Sequence, residues 1–177
     1  MNLRLPLVAA TTLMLGACAA VPATDATMAN AALASRSGSN AVGVLHVMWA
    51  GDGVRVTGQV SGLAPGSIHA FHIHEKGDCS AADASSAGGH FNPTSQPHGN
   101  AQAGGAHHLG DQANLQADAG GTARVDAHFG GVSLGTGTDT DVMGKAIVIH
   151  ADADDYTSQP SGNAGKRIAC GVIRIVR

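Results

Sequence analysis

Aromatic side chains are nearly missing from this sequence: three Phe, one Tyr and one Trp make up 3% of its residues. Charge is also sparse, with 10 Lys+Arg against 13 Asp+Glu and a formal net charge of -3. That balance offers no basic surface for nucleic acid and argues against a polyanionic partner. Long apolar runs are few, and no segment carries a 3.6-residue apolar stripe, which argues against amphipathic helices. What is present instead is glycine, 25 of 177 residues, in a chain that is 44% hydrophobic. A length suited to one domain, filled with glycine and short apolar segments, points to many short strands joined by turns. The other abundance is ten histidines. Histidine is the commonest metal ligand, so their arrangement becomes the question to settle.

The first segment reads as an export signal, not as part of the fold. Arg4 is followed by an apolar run from Leu5 to Leu15, too short and too close to the terminus for a transmembrane helix. The run ends in Leu15-Gly16-Ala17-Cys18, which resembles a bacterial lipobox. On that reading residues 1–17 are removed and Cys18 is lipidated, so that any membrane association runs through this anchor alone. An ordinary signal peptide cleaved near Ala19-Ala20 is the other reading. Residues 18–40, rich in Ala, Ser, Thr and Asn without alternation, read as a flexible tether, with the folded domain at 41–177. With Cys18 acylated, Cys79 and Cys170 remain as an even pair. In an oxidising periplasm such a pair is most simply a disulfide. Closing a loop of roughly 90 residues, it would contribute on the order of 4–5 kcal/mol at most by the chain-entropy model.

Alternation of period two marks the body of the chain. Val54-Arg55-Val56-Thr57-Gly58-Gln59-Val60 places its valines on one face, and Ala123–Phe129 repeats the pattern. Further strand candidates are Val42–Trp49, Ile68–His74, Ala113–Ala117, Lys145–His150 and Ile168–Val176. Gly51-Asp52-Gly53, Ala64-Pro65-Gly66 and Ala119-Gly120-Gly121 are the turns between them. The fold class that follows is all-β, an antiparallel sandwich or flattened barrel. Two polar stretches, Glu75–Asp111 and Ala151–Lys166, exceed ordinary connections and read as functional loops.

The histidines gather at strand ends and loop starts. In Phe71-His72-Ile73-His74 a strand would project both imidazoles to one side and bury Phe71 and Ile73. Along the chain follow Gly88-Gly89-His90-Phe91-Asn92-Pro93, then His98, His108-Leu109-Gly110-Asp111, and Ile147–Asp155 with His150. Gly162–Ile173 closes the series with Gly165-Lys166-Arg167-Ile168-Ala169-Cys170-Gly171. In this order the motifs resemble the copper-zinc superoxide dismutase family, over about 41–177.

The resemblance implies a Greek-key fold, copper and zinc as cofactors, and dismutation of superoxide to oxygen and hydrogen peroxide. It implies His72, His74, His90 and His150 as copper ligands, a nitrogen set suited to copper. It implies His90, His98, His108 and Asp111 as ligands of a structural zinc, with His90 bridging the two metals and supplying a route for protons. Asp154 falls where the family joins a copper-ligand and a zinc-ligand histidine, here His72 and His98. Arg167 is the expected substrate-orienting cation, with Lys166 and Lys76 as candidates for added positive potential. His107, His46, His128 and His69 are expected to be non-ligating. The short 151–166 loop resembles the bacterial branch, so steering charges do not carry over residue by residue, and Ala70 stands where a glycine is common. A periplasmic or envelope location is implied, as a monomer or homodimer. The other function class is an exported metal-buffering lipoprotein without turnover; a missing copper histidine or arginine would favour it, and none is missing.

Overall fold

The computed structural model describes residues 28–176. The expected signal segment 1–17, the lipidation candidate Cys18 and residues 19–27 lie outside them. Among the described residues nine strands follow in chain order: β1 (Met28–Ser35), β2 (Val42–Trp49), β3 (Gly53–Ser61), β4 (Ile68–His69), β5 (Phe71–His74), β6 (Leu115–Gln116), β7 (Ala123–Gly130), β8 (Ala146–His150) and β9 (Arg167–Ile175). Seven form one sheet in the order β5-β8-β9-β1-β2-β3-β7, and β4 pairs with β6. Every strand pairing is antiparallel. β4 runs directly into β5, and Ala117 bridges Ala123 at the start of β7. The small pair therefore connects the two edges of the long sheet and curls it toward a flattened barrel.

Residues 28–35 correct the tether expectation. They form β1, hydrogen-bonded between β2 and β9 in the middle of the sheet. Ala29, Ala31 and Leu33 point into the core while Met28, Ala32 and Ala34 face out. Alanine stands on both faces, so the strand shows almost no polar–apolar contrast. The folded unit thus reaches back at least to Met28.

The span Ile68–His74 is also not one strand. Its pairing changes at Ala70: β4 pairs with β6, and β5 with β8. Ala70 itself donates to the Asp152 carbonyl (2.9 Å) and accepts from the His150 amide (3.0 Å). The chain thus passes from one sheet to the other directly before the first histidine of β5.

Inward residues of the strands fill one core. Leu45 and Val47, Val54 and Val56, Phe71 and Ile73, Val125 and Phe129, and Ile147 and Ile149 all belong to it. Phe71 and Phe129 meet edge to face at 5.5 Å between centroids, the geometry their ring quadrupoles favour. β8 is buried on both faces. Ile147 and Ile149 enter the main core, whereas Ala146 and Val148 pack outward against Ala84, Ala87 and Cys170. What covers that outer side is the 75–111 loop, tied to β9 by the Cys79–Cys170 disulfide (S–S 1.99 Å).

If β1 is integral to the sheet, its two faces should respond differently to substitution. Leu33→Ala should cost about 2–5 kcal/mol of stability, and Ala32→Ser, on the outward face, no more than about 0.5 kcal/mol. Denaturant midpoints would show it; equal, negligible effects would restore the tether.

Candidate metal centre

β5 and β8 carry the first part of the site on their outer side. Phe71 and Ile73 face the core, so alternation sends His72 and His74 the other way. On β8 the same alternation sends His150 outward with Ala146 and Val148, and an irregularity between Ile149 and His150 sets it opposite Arg167. β5 is an edge strand, and the 75–111 loop covers it. Phe91 N donates to Ile73 O (2.8 Å), Glu75 N to Gly89 O (2.9 Å) and Ile73 N to Gly110 O (2.9 Å). These bonds satisfy the exposed edge and bring His90 beside His74.

The result is two clusters. The ligand atoms of His72, His74, His90 and His150 lie within 4.8 Å of one another, as do those of His90, His98, His108 and Asp111. All seven residues are buried. Hydrogen bonds settle which ring nitrogen faces where. His74 Nδ1 must donate to the Gly88 carbonyl (3.0 Å), which leaves Nε2 as an acceptor. It faces His150 Nε2 at 3.3 Å, and His150 Nδ1 points toward Gly165 O at 3.5 Å. Two acceptor nitrogens at that separation repel unless a proton or cation lies near them. His72 donates from Nε2 to Asp154 (2.8 Å), leaving Nδ1 buried and without a hydrogen-bond partner. His90 Nδ1 lies 2.7 Å from Asp111 Oδ1, and its Nε2 is likewise unpartnered. In the second cluster one oxygen, Asp111 Oδ1, faces His90 Nδ1, His98 Nδ1 and His108 Nδ1 at 2.7, 3.0 and 3.2 Å. The His98 Nδ1 contact is close but not aligned as a hydrogen bond. Orphaned buried acceptors converging in this way suit a bound metal ion.

Asp154 holds both clusters. Its Oδ2 meets His72 Nε2 at 2.8 Å and its Oδ1 meets His98 Nε2 at 2.9 Å. Burial pushes its carboxyl upward, but hydrogen bonds from His72, His98 and the Tyr156 amide win and hold it well below the carboxylate range. Asp111 is lowered in the same way against burial, by His108, His90 and His98 and the Gly99 amide. The histidines divide. Burial, reinforced by neighbouring imidazoles, drives His74 and His150 well below the ordinary value. Burial also takes His90 down to about 4, against the pull of Asp111. For His98 burial is overcome by Asp111 and Asp154, which raise it to about 9. His74, His90 and His150 of the first cluster are thus held neutral, and the second cluster is built around carboxylate charge.

Arg167 lines a cleft of about 480 Å³ together with His74, His90, His150 and Gly165. Its guanidinium donates to Ala84 O (2.7 Å) and Gly88 O (2.6 Å), so the same carbonyl that orients His74 also receives Arg167. Burial lowers its pKa, opposed by Asp83. Arg36 braces the disulfide end of the loop, donating twice to Cys79 O (2.9 and 2.6 Å).

The remaining histidines stand outside both clusters. His69 bonds Ser67 Oγ and the His150 carbonyl, His46 bonds Asn30, and His128 pairs with Asp52 on the surface. His107 donates to the His108 carbonyl and lines a separate groove of about 640 Å³. Lys76 borders another depression, with Phe91 and Lys145, not the cleft of Arg167. Sequence reasoning missed the residues that hold Asp154. The Asn114 carboxamide both donates to Asp154 O (2.9 Å) and accepts from Asp154 N (2.8 Å). Gly162, with φ +66°, leaves no room for a Cβ, which would collide with Asp154 Oδ1 and His98 Nε2. An amide or a glycine in a polar loop carries no signal of such a task.

Residues 42–173 match the family described as copper/zinc superoxide dismutase. The chain is 43% identical over 136 residues to superoxide dismutase [Cu-Zn] 2 of Aquifex aeolicus, covering 75% of this chain and 79% of that protein. It is 40% identical to the superoxide dismutase-like protein YojM of Bacillus subtilis, over 80% of this chain and 73% of the other. The crystal structure of a SOD-like protein from Bacillus subtilis superposes with a TM-score of 0.72 at 38% identity, covering 80% and 95% of the two chains.

The packing at Gly162 generates a test of the Asp154 bridge. Gly162→Ala should displace Asp154 and weaken binding at both clusters by about 10–100-fold, the usual effect of disturbing a group that orients ligands. Competition titration with a chelator measures it, and Asp154→Ala should match it in direction. Unchanged affinities in both variants would detach Asp154 from metal binding.

Proposed function

The chain belongs to the copper/zinc superoxide dismutase family, and on that premise we propose which of its residues hold each metal and what they do. It is an oxidoreductase acting on superoxide, with copper and zinc as its metals. Copper is assigned to His72, His74, His90 and His150, four imidazole nitrogens of the kind that suit copper. Zinc is assigned to His90, His98, His108 and Asp111, three nitrogens and one carboxylate that complete a closed, structural site. The observation that carries this reading is the position of His90. It alone belongs to both sets, with Nδ1 against Asp111 and Nε2 buried without a partner.

Copper, when bound, exchanges single electrons with superoxide, one molecule leaving as oxygen and a second, with two protons, as hydrogen peroxide. His90, common to both sets, would serve as the bridge, and its Nε2 would be the atom that takes up and releases a proton during the cycle. Asp111 lies against Nδ1 and would hold the same zinc, so that this side of the ring stays fixed. Arg167 draws the anion into the cleft and orients it beside His150 and His90, since a guanidinium remains charged at any working pH. The disulfide indicates an oxidising compartment. The setting proposed is the periplasm or cell envelope, with Cys18 as a lipid anchor. The complete histidine sets and Arg167 favour turnover over metal buffering.

Purified protein should contain one copper and one zinc per chain and consume superoxide. Elemental analysis that finds zinc alone after copper reconstitution would defeat the copper assignment.

Arg167→Ala should lower turnover by about tenfold or more, the low end of what local potential contributes to anion capture, with both metals retained. Arg167→Lys should lose less and Arg167→Glu more. Rising ionic strength should slow the parent protein. Because Arg167 also bonds Ala84 O and Gly88 O, a purely bracing role is the rival account. It predicts that the Ala and Glu variants lose metal and stability together, and that metal-replete Arg167→Glu turns over normally.

A further inference from the structure

Six of the seven clustered residues are held by the sheet or by their own loop. His72, His74 and His150 sit on β5 and β8. His90 bridges His74 through the backbone, and the His108 amide is received by Asp111 Oδ2 at 2.9 Å. Asp111 in turn donates its amide to His108 O at 3.1 Å. His98 differs. It lies outside any strand, is only 3% exposed, and makes no backbone–backbone hydrogen bond among the described residues.

Both of its backbone groups go to one side chain from the other loop. Gln159 Oε1 accepts from His98 N at 3.0 Å, and Gln159 Nε2 donates to His98 O at 2.9 Å. The carboxamide therefore acts as a single rung of sheet, supplying the donor and acceptor that a neighbouring strand would supply. Two bonds in opposite directions fix the rotation of the His98 backbone as well as its position. The ring is then held independently, by Asp154 at Nε2. His98 is thus gripped at backbone and ring by two residues of the 151–166 loop.

We propose that Gln159 is a positioning residue for the second metal set: by fixing the His98 backbone it makes the 151–166 loop set the affinity of that site. The proposal rests on the zinc assignment of His98. Gln159 is itself exposed, so replacing it opens no cavity in the core, and its effect has to pass through the two bonds to His98. It hydrogen-bonds none of His72, His74 and His150, so the influence should be selective between the sets.

Gln159→Met keeps the length of the side chain and removes both bonds. The variant should bind zinc about tenfold more weakly, the lower end of the range for groups that orient ligands. Its copper affinity should stay within about threefold, and metal-free thermal unfolding should be nearly unchanged. Cobalt placed in the zinc site gives a readout independent of turnover: the visible absorption of the Gln159→Met protein should differ in position or intensity from that of the parent. Equal zinc affinity and an identical cobalt spectrum would overturn the proposal. So would a parallel loss of both metals with a lowered metal-free melting temperature, because that is a general structural role. If the parent protein takes neither zinc nor cobalt at this site, the zinc assignment fails. Amide hydrogen exchange at His98 then decides Gln159 alone: faster exchange in Gln159→Met retains it as the residue that holds His98, and unchanged exchange removes it.

Discussion

One buried carboxylate joins the rigid part of this molecule to its irregular part. Asp154 accepts from His72, which belongs to a strand, and from His98, which belongs to a loop. A buried charge is tolerated only where it is fully paired, and Asp154 is paired by two imidazoles and the Tyr156 amide, with Asn114 fixing its backbone. Those partners come from four stretches of chain that share no sheet. Fixing the carboxylate therefore fixes the relative position of all four. Gly162 shows how tight the requirement is, because even a methyl group would occupy the space of the carboxylate.

The loops around it are long and almost without regular structure, yet they must hold donor atoms to within fractions of an ångström. They do so by replacing ladder bonds with side-chain amides. Asn114 pairs with Asp154, and Gln159 with His98, each as donor and acceptor at once. Asn92 does the same with the backbone of Gln96 within the 75–111 loop. Larger movements are restrained by the Cys79–Cys170 disulfide and by two arginines bonded to loop carbonyls, Arg36 at Cys79 and Arg167 at Ala84 and Gly88. Arg167 thus occupies a position where bracing and anion capture share one side chain.

Strands in which valine alternates with polar residues were legible in the sequence, because burial of one face leaves a period-two trace. Val42–Trp49 coincides with β2, and Val54–Val60 and Ala123–Phe129 fall within β3 and β7. β1 was not legible, since alanine serves both faces and Asn30 alone among the outward positions is polar. The change of partner at Ala70 is decided by which strands close the barrel, and local sequence holds no trace of that. At the site, histidine spacing on β5 and the order of motifs identified the residues that converge. The residues that hold them, Asn114, Gln159 and Gly162, are ordinary loop residues whose roles exist only once distant loops meet.

The two clusters differ in what supports them, and that difference bears on how they depend on each other. Three members of the first come from β5 and β8, whose pairing is part of the core and needs no ion to form. Every member of the second comes from the 75–111 loop, where binding of an ion and ordering of the chain are one process. On the proposed assignment, zinc binding therefore contributes directly to the order of the loop, whereas the copper site is largely prebuilt. The sets are linked through His90, common to both, and through Asp154, which touches one histidine of each. Order gained in the loop reaches the copper site through the single nitrogen donor that the sheet does not supply. The strand histidines set the geometry of the reacting site, and the loop cluster aims the ring of its fourth ligand, whose backbone the edge of β5 already holds.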